Sequence, residues 1–277
     1  MLNHRPAPYC LLDYRVRRTD DVRLPVTSEA VLYGDSLFST LSVLEGVPVF
    51  LDAHIRRLNF SARELGYRTR LDPNRMRMAL DNLIAGDRAD QAHLRITLFN
   101  PGENEPGVPE HLVLLFPGVA DQINAAELFP VNRRNLDDLS RHKSGNYLLN
   151  RRISRQLTRG TEALFLDEKG NLLEGTRSNL FLAIENRLLT PSREQGILPG
   201  ICRGCLLGDL QLGAHATNLD LEALEMASEA FVCNSVLGIQ PLNRIGQFSF
   251  GEAPGPLTRR AMASLETQIL SDISRWF

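Results

Sequence analysis

The spacing of the apolar residues changes from about two to nearly four at Asp52 and back again at His93, so the chain must fit both strands and helices around shared cores. Before Asp52 the apolar runs are short. Tyr9 to Tyr14 is followed by a loosely alternating stretch from Val31 to Val43, and Glu45-Gly46-Val47-Pro48 turns the chain into Val49-Phe50-Leu51. These read as strands of a small meander. From Asp52 onwards His54, Leu58, Ser61 and Leu65 share one helical face, with Asp52 placed to cap the start and Gly66 to end it. A second helix opens at Asp72-Pro73 and runs to about Ala85. His93 to Phe99 and Leu112 to Phe116 flank a Pro/Gly loop and predict a hairpin.

Residues 121–140 carry no long apolar run and read as a linker. Beyond them the spacing predicts a helix over 146–159, with Leu149, Ile153 and Leu157 at four-residue steps. Strands follow at 163–167, 172–174, 180–184 and 187–190, then helices at 200–212 and 219–227 and a strand at 230–233. The chain closes with an amphipathic helix from Pro256, striped by Leu257, Ala261, Leu265, Ile269 and Ile273. The whole predicts an α+β fold in two subdomains. The smaller α/β subdomain spans 1–120, the linker 121–140, and the larger, strand-rich subdomain 141–277.

Composition removes several function classes. With 277 residues, 43% hydrophobic and 23% charged, the chain is long and apolar enough to bury a core. A net charge of -2 and a pI near 6.3 supply no field to draw nucleic acid or anionic lipid. The arginine pairs Arg133-Arg134 and Arg151-Arg152 lack interleaved aromatic residues for stacking bases, which weakens an RNA-binding reading. Cys10, Cys202, Cys205 and Cys233 are spaced neither as a disulfide framework nor as a zinc site, and no metal is expected. No run of eighteen apolar residues predicts a membrane span, and Met1 to Pro6 does not resemble a secretory leader, so a cytoplasmic protein is expected.

Of the 31 basic residues only two are lysines, Lys143 and Lys169. Lys169 lies in the turn Glu168-Lys169-Gly170-Asn171, where its ammonium stays hydrated. Lys143 lies just ahead of the helix expected at 146–159, whose positive end would favour the neutral amine and help it act as a nucleophile. On position alone an ordinary surface lysine is the favoured reading. The distinction comes from its surroundings in sequence.

Those surroundings are Arg141-His142-Lys143-Ser144-Gly145-Asn146-Tyr147, then Glu174-Gly175-Thr176-Arg177-Ser178-Asn179-Leu180-Phe181, then Gly196-Ile197-Leu198-Pro199-Gly200-Ile201-Cys202-Arg203. Tyr33-Gly34-Asp35-Ser36-Leu37-Phe38 and His54-Ile55-Arg56-Arg57-Leu58 precede them. In this order the motifs resemble the class IV aminotransferases, the fold-type IV enzymes that use pyridoxal 5'-phosphate. That cofactor needs an amine for its aldehyde, a carboxylate for its pyridine nitrogen, and a cation with backbone donors for its phosphate. The resemblance implies Lys143, Glu174 and Arg57 in those roles. It also implies phosphate contacts from Ile201, Cys202 and Ser235, and places Tyr147 near the phenolic oxygen. Cys202 stands where family members commonly have Thr. Asn179 belongs to the same motif set, although its chemistry reads more simply as a structural Asn holding a turn. Tyr33, Arg95 and Arg177 are candidates for binding substrate.

Within the family one cofactor site serves branched-chain and D-amino-acid aminotransferases and a lyase that releases pyruvate from 4-amino-4-deoxychorismate to leave p-aminobenzoate. The compact chain and the stretch from Phe231 to Leu242, followed by Ile245-Gly246 and Phe248, resemble the lyase branch. Ser42 stands where branched-chain enzymes and many lyases carry Arg, and Leu98 to Gly102 lacks the usual Arg-Gly. The missing basic groups stand against the usual carboxylate traps of the two aminotransferases and fit the usual lyase pattern no better; the motif set as a whole resembles enzymes that imply a small amino substrate, folate-pathway lyase chemistry and a homodimer. A transaminase is the alternative, and a non-catalytic protein that keeps the fold is a second one.

Overall fold

The computed structural model describes residues 5–87, 91–101, 107–118, 121–131 and 137–276; Arg133-Arg134 and Gly102 lie outside these. The chain packs as two units. The first comprises Met1–Ala120, His142–Tyr147 and Asp272–Phe277, the second Asp121–Arg141 and Leu148–Ser271.

The first unit contains β1 (Tyr9–Leu12), β2 (Arg15–Arg18), a short α1 (Glu29–Leu32), β3 (Ser36–Leu44), β4 (Val47–Pro48), α2 (Leu51–Glu64), α3 (Pro73–Asp87), β5 (Gln91–Phe99) and β6 (His111–Pro117). Its strands form an antiparallel sheet in the order β2-β1-β6-β5-β3-β4. Along β3, Leu37, Leu41 and Val43 alternate onto one face and join Leu51, Ile55 and Leu58 of α2 and Leu80 and Leu83 of α3 in a core. The helix expected from Asp52 begins one residue earlier. Phe50 turns into the left-handed region at φ 54 and its N–H donates to Asp272 Oδ2 at 2.6 Å. Asp52 therefore falls inside the first turn, where it meets Arg77 at 3.4 Å instead of capping. Gly66, at φ +75, closes the helix, with its N–H on Arg63 O and that of Tyr67 on Ala62 O.

The second unit contains β7 (Ala125–Pro130), α4 (Asp137–Ser140), α5 (Leu148–Ser154), β8 (Thr161–Leu166), β9 (Leu172–Gly175), β10 (Asn179–Ile184) and β11 (Arg187–Pro191). It continues with α6 (Ile201–Gly208), β12 (His215–Thr217), α7 (Leu221–Met226), β13 (Glu229–Asn234), β14 (Gly238–Leu242), β15 (Arg244–Ile245), β16 (Phe248–Ser249) and α8 (Pro256–Ser274). Two sheets form, in the orders β16-β15-β7-β8-β9 and β12-β11-β10-β13-β14. Leu164 and Leu172 of the first and Leu180, Leu182 and Val232 of the second share one core. Phe181 and Phe231 stack at 4.9 Å across β10 and β13. Buried Glu229 caps α8 by accepting from Leu257 N at 3.0 Å and Thr258 N at 2.8 Å.

Three segments differ from the sequence expectation. The stretch 121–140 contains β7, which lies between β8 and β15 in parallel register, and a six-residue strand interrupted by Glu127 has too little apolar periodicity to read. The helix expected over 146–159 is the seven-residue α5, because residues 143–145 are hydrogen-bonded to β3 and the helix starts only at Leu148. The helix expected to Leu212 ends at Gly208, where the Asp209 carboxylate takes the N–H groups of Gln211 and Leu212. Among the described residues no helix is long and apolar enough to cross a membrane.

His111 on β6 is fully buried, accepts the Tyr14 N–H on Nε2 at 3.1 Å, and is pushed by burial down to about 4. An unfolded histidine takes up its proton near 6.5, so below that pH the unfolded chain binds a proton that the folded one does not. The contribution is complete above 6.5 and is lost as the pH falls towards 4, on the order of 3 kcal/mol in all. Denaturant unfolding across this range should show the loss, and His111→Gln, which keeps an acceptor for Tyr14, should flatten the profile by most of it.

Candidate active site

Lys143 is placed by backbone bonds within the first unit. Its carbonyl accepts the Phe38 N–H at 2.8 Å, Gly145 N donates to Ser36 O at 2.7 Å, and Ser144 bridges Leu37, so residues 143–145 lie along β3 as an extra strand fragment. Gly145 has to be glycine for this approach: a Cβ there would stand 2.3 Å from Ser36 Oγ and 2.7 Å from Gly34 O. The amine is set among aromatic faces, with Nζ 4.8 Å from the Phe38 ring centre and 5.2 Å from that of Tyr147. Phe38 and Tyr147 meet edge to face at 5.4 Å. The Arg95 guanidinium lies 3.6 Å from the Phe38 ring centre, and burial draws it down to about 10, leaving it charged at neutral pH. Register explains the meeting. Arg95 of β5 is opposite Thr40, on the same strand face as Phe38.

The opposite face of β3 carries Ser39, between Leu37 and Leu41. Its hydroxyl accepts from Arg57 Nη2 at 2.7 Å and lies 2.7 Å from His54 Nδ1. Arg57 is half-buried, whereas Arg56 beside it is exposed. His54 is fully buried, and burial, with the Arg57 and Lys143 charges, holds its imidazole well below the ordinary histidine value.

In the second unit a glutamate and a helix start are built from one turn. Half-buried Glu174, at the end of β9, accepts the Leu198 N–H on Oε2 at 3.0 Å. The turn that follows wraps the carboxylate of Glu162, 1% exposed on β8, which takes the N–H and hydroxyl of Thr176, the Ser178 hydroxyl at 3.1 Å and Arg177 Nε at 3.4 Å. Asn179 reaches Leu198 O through Nδ2 at 3.1 Å. A Cβ on Gly200 would stand 2.0 Å from Asn179 Oδ1, so the chain enters α6 tightly against this side chain. α6 starts at Ile201 with Gly200 as N-cap, no side-chain cap and no acidic residue in its first turn, a helix end suited to an anion. Cys202 Sγ stands 4.0 Å from Ser235 Oγ.

The candidates for substrate binding separate. Arg177 is engaged by Glu162. Arg203, another basic residue of this motif, is 3% exposed and bonded to Thr190 Oγ1 and Pro191 O. Tyr33 is 70% exposed at the end of α1 and is not brought to the Lys143 cluster by any described contact. Arg95 alone of these joins Lys143. Three participants were not legible as such in the sequence. Phe38 and Ser39 sit inside an apolar strand, and Glu162 precedes the run Ala163 to Leu166, where a lone acid in a buried strand was the available signal.

Residues 36–245 match the model of the amino-transferase class IV family. Aminodeoxychorismate lyase of Bacillus subtilis is 28% identical over 260 residues, covering 88% of this chain and 89% of the relative. The branched-chain-amino-acid aminotransferase of Escherichia coli strain K12 is 26% identical over 281 residues, covering 92% and 91%. A solved structure of the Escherichia coli branched-chain enzyme superposes with a TM-score of 0.84 at 24% identity, covering 96% of this chain and 95% of that one, which establishes the shared fold. The chain belongs to the amino-transferase class IV family and has its fold-type IV architecture and its dependence on pyridoxal phosphate.

Proposed function

We propose that this enzyme is a lyase that converts 4-amino-4-deoxychorismate into p-aminobenzoate and pyruvate. The observation that carries the reading is Arg95. Among the described residues it has no carboxylate partner, yet it is held over Phe38 on the same ring that Lys143 approaches. A cation so placed suits a substrate bearing a carboxylate beyond its reacting amine, and Arg177 and Arg203 are already engaged. The similarity to a lyase of Bacillus subtilis points the same way.

The residues present fit the cofactor. Lys143 offers an amine against two aromatic rings, Glu174 a backbone-anchored carboxylate, and Gly200 to Cys202 a helix start with neither cap nor acid. Bound pyridoxal phosphate supplies an aldehyde that condenses with amines and a pyridine ring that takes up the electron pair released at the amine-bearing carbon. Glu174 is assigned to the pyridine nitrogen, where its negative charge favours the protonated form. Arg57, the Ile201 and Cys202 backbone and Ser235 are assigned to the phosphate, Tyr147 to the phenolic oxygen, and Asn179 to holding the Leu198 to Gly200 segment. Lys143 Nζ, as a free amine, would remove the proton from the ring carbon that bears the substrate's amine. As an ammonium it then returns a proton to the departing enolpyruvyl group. Aromatisation drives the step. A homodimer in the cytoplasm completes the proposal, supported by the exposed apolar run Val31, Leu32 and Tyr33 and by four cysteines without disulfides.

Supplying 4-amino-4-deoxychorismate should yield p-aminobenzoate and pyruvate in equal amounts. Absence of both, together with bleaching of the bound cofactor's visible colour by glutamate, would establish a transaminase instead. Borohydride reduction of the holoenzyme followed by peptide mapping should label Lys143 and leave Lys169 unmarked, and Lys143→Ala should abolish the label and cut turnover by about 10²–10⁴. Arg95→Gln should raise KM about tenfold or more with a smaller effect on kcat, as loss of one charged contact predicts. An unchanged KM would remove Arg95 from the substrate site.

A further inference from the structure

We infer that Ser39 and His54 are positioning residues for Arg57, forming a buried relay that aims its guanidinium at the cofactor phosphate. The inference rests on the phosphate assignment of Arg57 proposed above. Arginine only donates hydrogen bonds, so Ser39 Oγ must be the acceptor of the 2.7 Å contact with Nη2. Among the described residues the hydroxyl has one other partner, His54 Nδ1 at 2.7 Å. Ser39 is fully buried, and its own proton is satisfied only if it points at that nitrogen. The order is therefore Arg57 N–H to Ser39 Oγ, and Ser39 O–H to a neutral His54 whose ring proton is on Nε2.

This arrangement is expensive unless it serves something. It sets a hydroxyl and an imidazole in the apolar layer formed by Leu37, Leu41, Ile55 and Leu58, and leaves His54 Nε2 buried with no hydrogen-bond partner. A neutral ring is required, because an imidazolium would repel the cation it steadies; burial beside Arg57 and Lys143 enforces that neutrality. The relay is also geometrically tied to the amine. Ser39 follows Phe38 directly, and the Phe38 N–H holds the Lys143 carbonyl at 2.8 Å, so one strand locates the lysine segment from its backbone and the arginine from its next side chain.

The test compares affinities of the cofactor-stripped full chain for pyridoxal phosphate and for pyridoxal, which lacks the phosphate, by visible absorbance. Ser39→Ala and His54→Leu should weaken pyridoxal phosphate about tenfold while leaving pyridoxal unchanged, and His54→Asn, which restores an acceptor at the Nδ1 position, should recover most of the loss. Arg57→Gln should reduce the preference for the phosphate form at least as much. If Arg57→Gln lowers that preference and Ser39→Ala does not, or if Ser39→Ala weakens both forms equally, the relay is refuted while the phosphate assignment stands. If Arg57→Gln leaves the preference intact, the phosphate assignment falls and the relay with it. Should His54→Leu fail to fold, Ser39→Ala and His54→Asn decide.

Discussion

The arrangement around Lys143 in the first unit depends on the docking of residues 143–145 against β3. Two backbone bonds and a bridge convert a connecting segment into a short strand fragment, and they do so beside a strand whose Leu37 and Leu41 are fully covered. Each bond is worth only about 1 kcal/mol net, but a strand fixed by its core packing offers donors and acceptors that cost little further entropy to order. The amine of Lys143 thereby inherits the rigidity of β3. The need for close approach falls on Gly145, where even a methyl group would strike Ser36 and Gly34.

The period of a strand turns this docking into a division of labour. Phe38 faces the lysine and Arg95, and Ser39 faces α2, where His54 and Arg57 stand three residues apart on one helical surface. An aromatic face is a favourable neighbour for a guanidinium, which stays charged even with its proton affinity drawn down by burial. The second unit solves its own problem with the opposite charge. Glu162 is a buried carboxylate surrounded by donors from Thr176, Arg177 and Ser178, and those bonds shape the turn between Glu174 and Asn179.

Much of this was legible in the sequence and some could not have been. α2, α3, the β5 and β6 hairpin and α8 announce themselves because they are long and bury a single face, so the apolar period alone records them. β7, β15 and β16 are short and obtain their stability from neighbours distant in sequence, which no local pattern records. Helix α5 is shorter than its sequence suggests because Leu149, Ile153 and Leu157 keep a helical spacing, whereas Asn146 and Tyr147 belong to the segment that follows the β3 docking. Among the proposed cofactor residues, Lys143, Arg57 and Glu174 stand out in the sequence because two lysines and a set of ordered motifs leave few choices. Phe38, Ser39 and Glu162 did not, since a strand residue acquires its role from what faces it across the sheet.

The departures of this chain from its family have a common physical reading. Cys202 replaces a hydroxyl at the start of α6, yet the geometry that shapes that helix start resides in the backbone: Gly200 passes so close to Asn179 that any Cβ would collide, and Asn179 in turn holds Leu198. Under the proposed assignment the phosphate is gripped by main-chain N–H groups whose direction the Gly200 contact determines, so the side chain at 202 can change while the glycine cannot. Ser42 follows the same logic on β3. The strand's course is set by its core-facing alternates and by the lysine segment, so residues on the Phe38 face are free to vary with the substrate. Arg95, contributed by the neighbouring strand, can then carry the positive charge that β3 itself lacks.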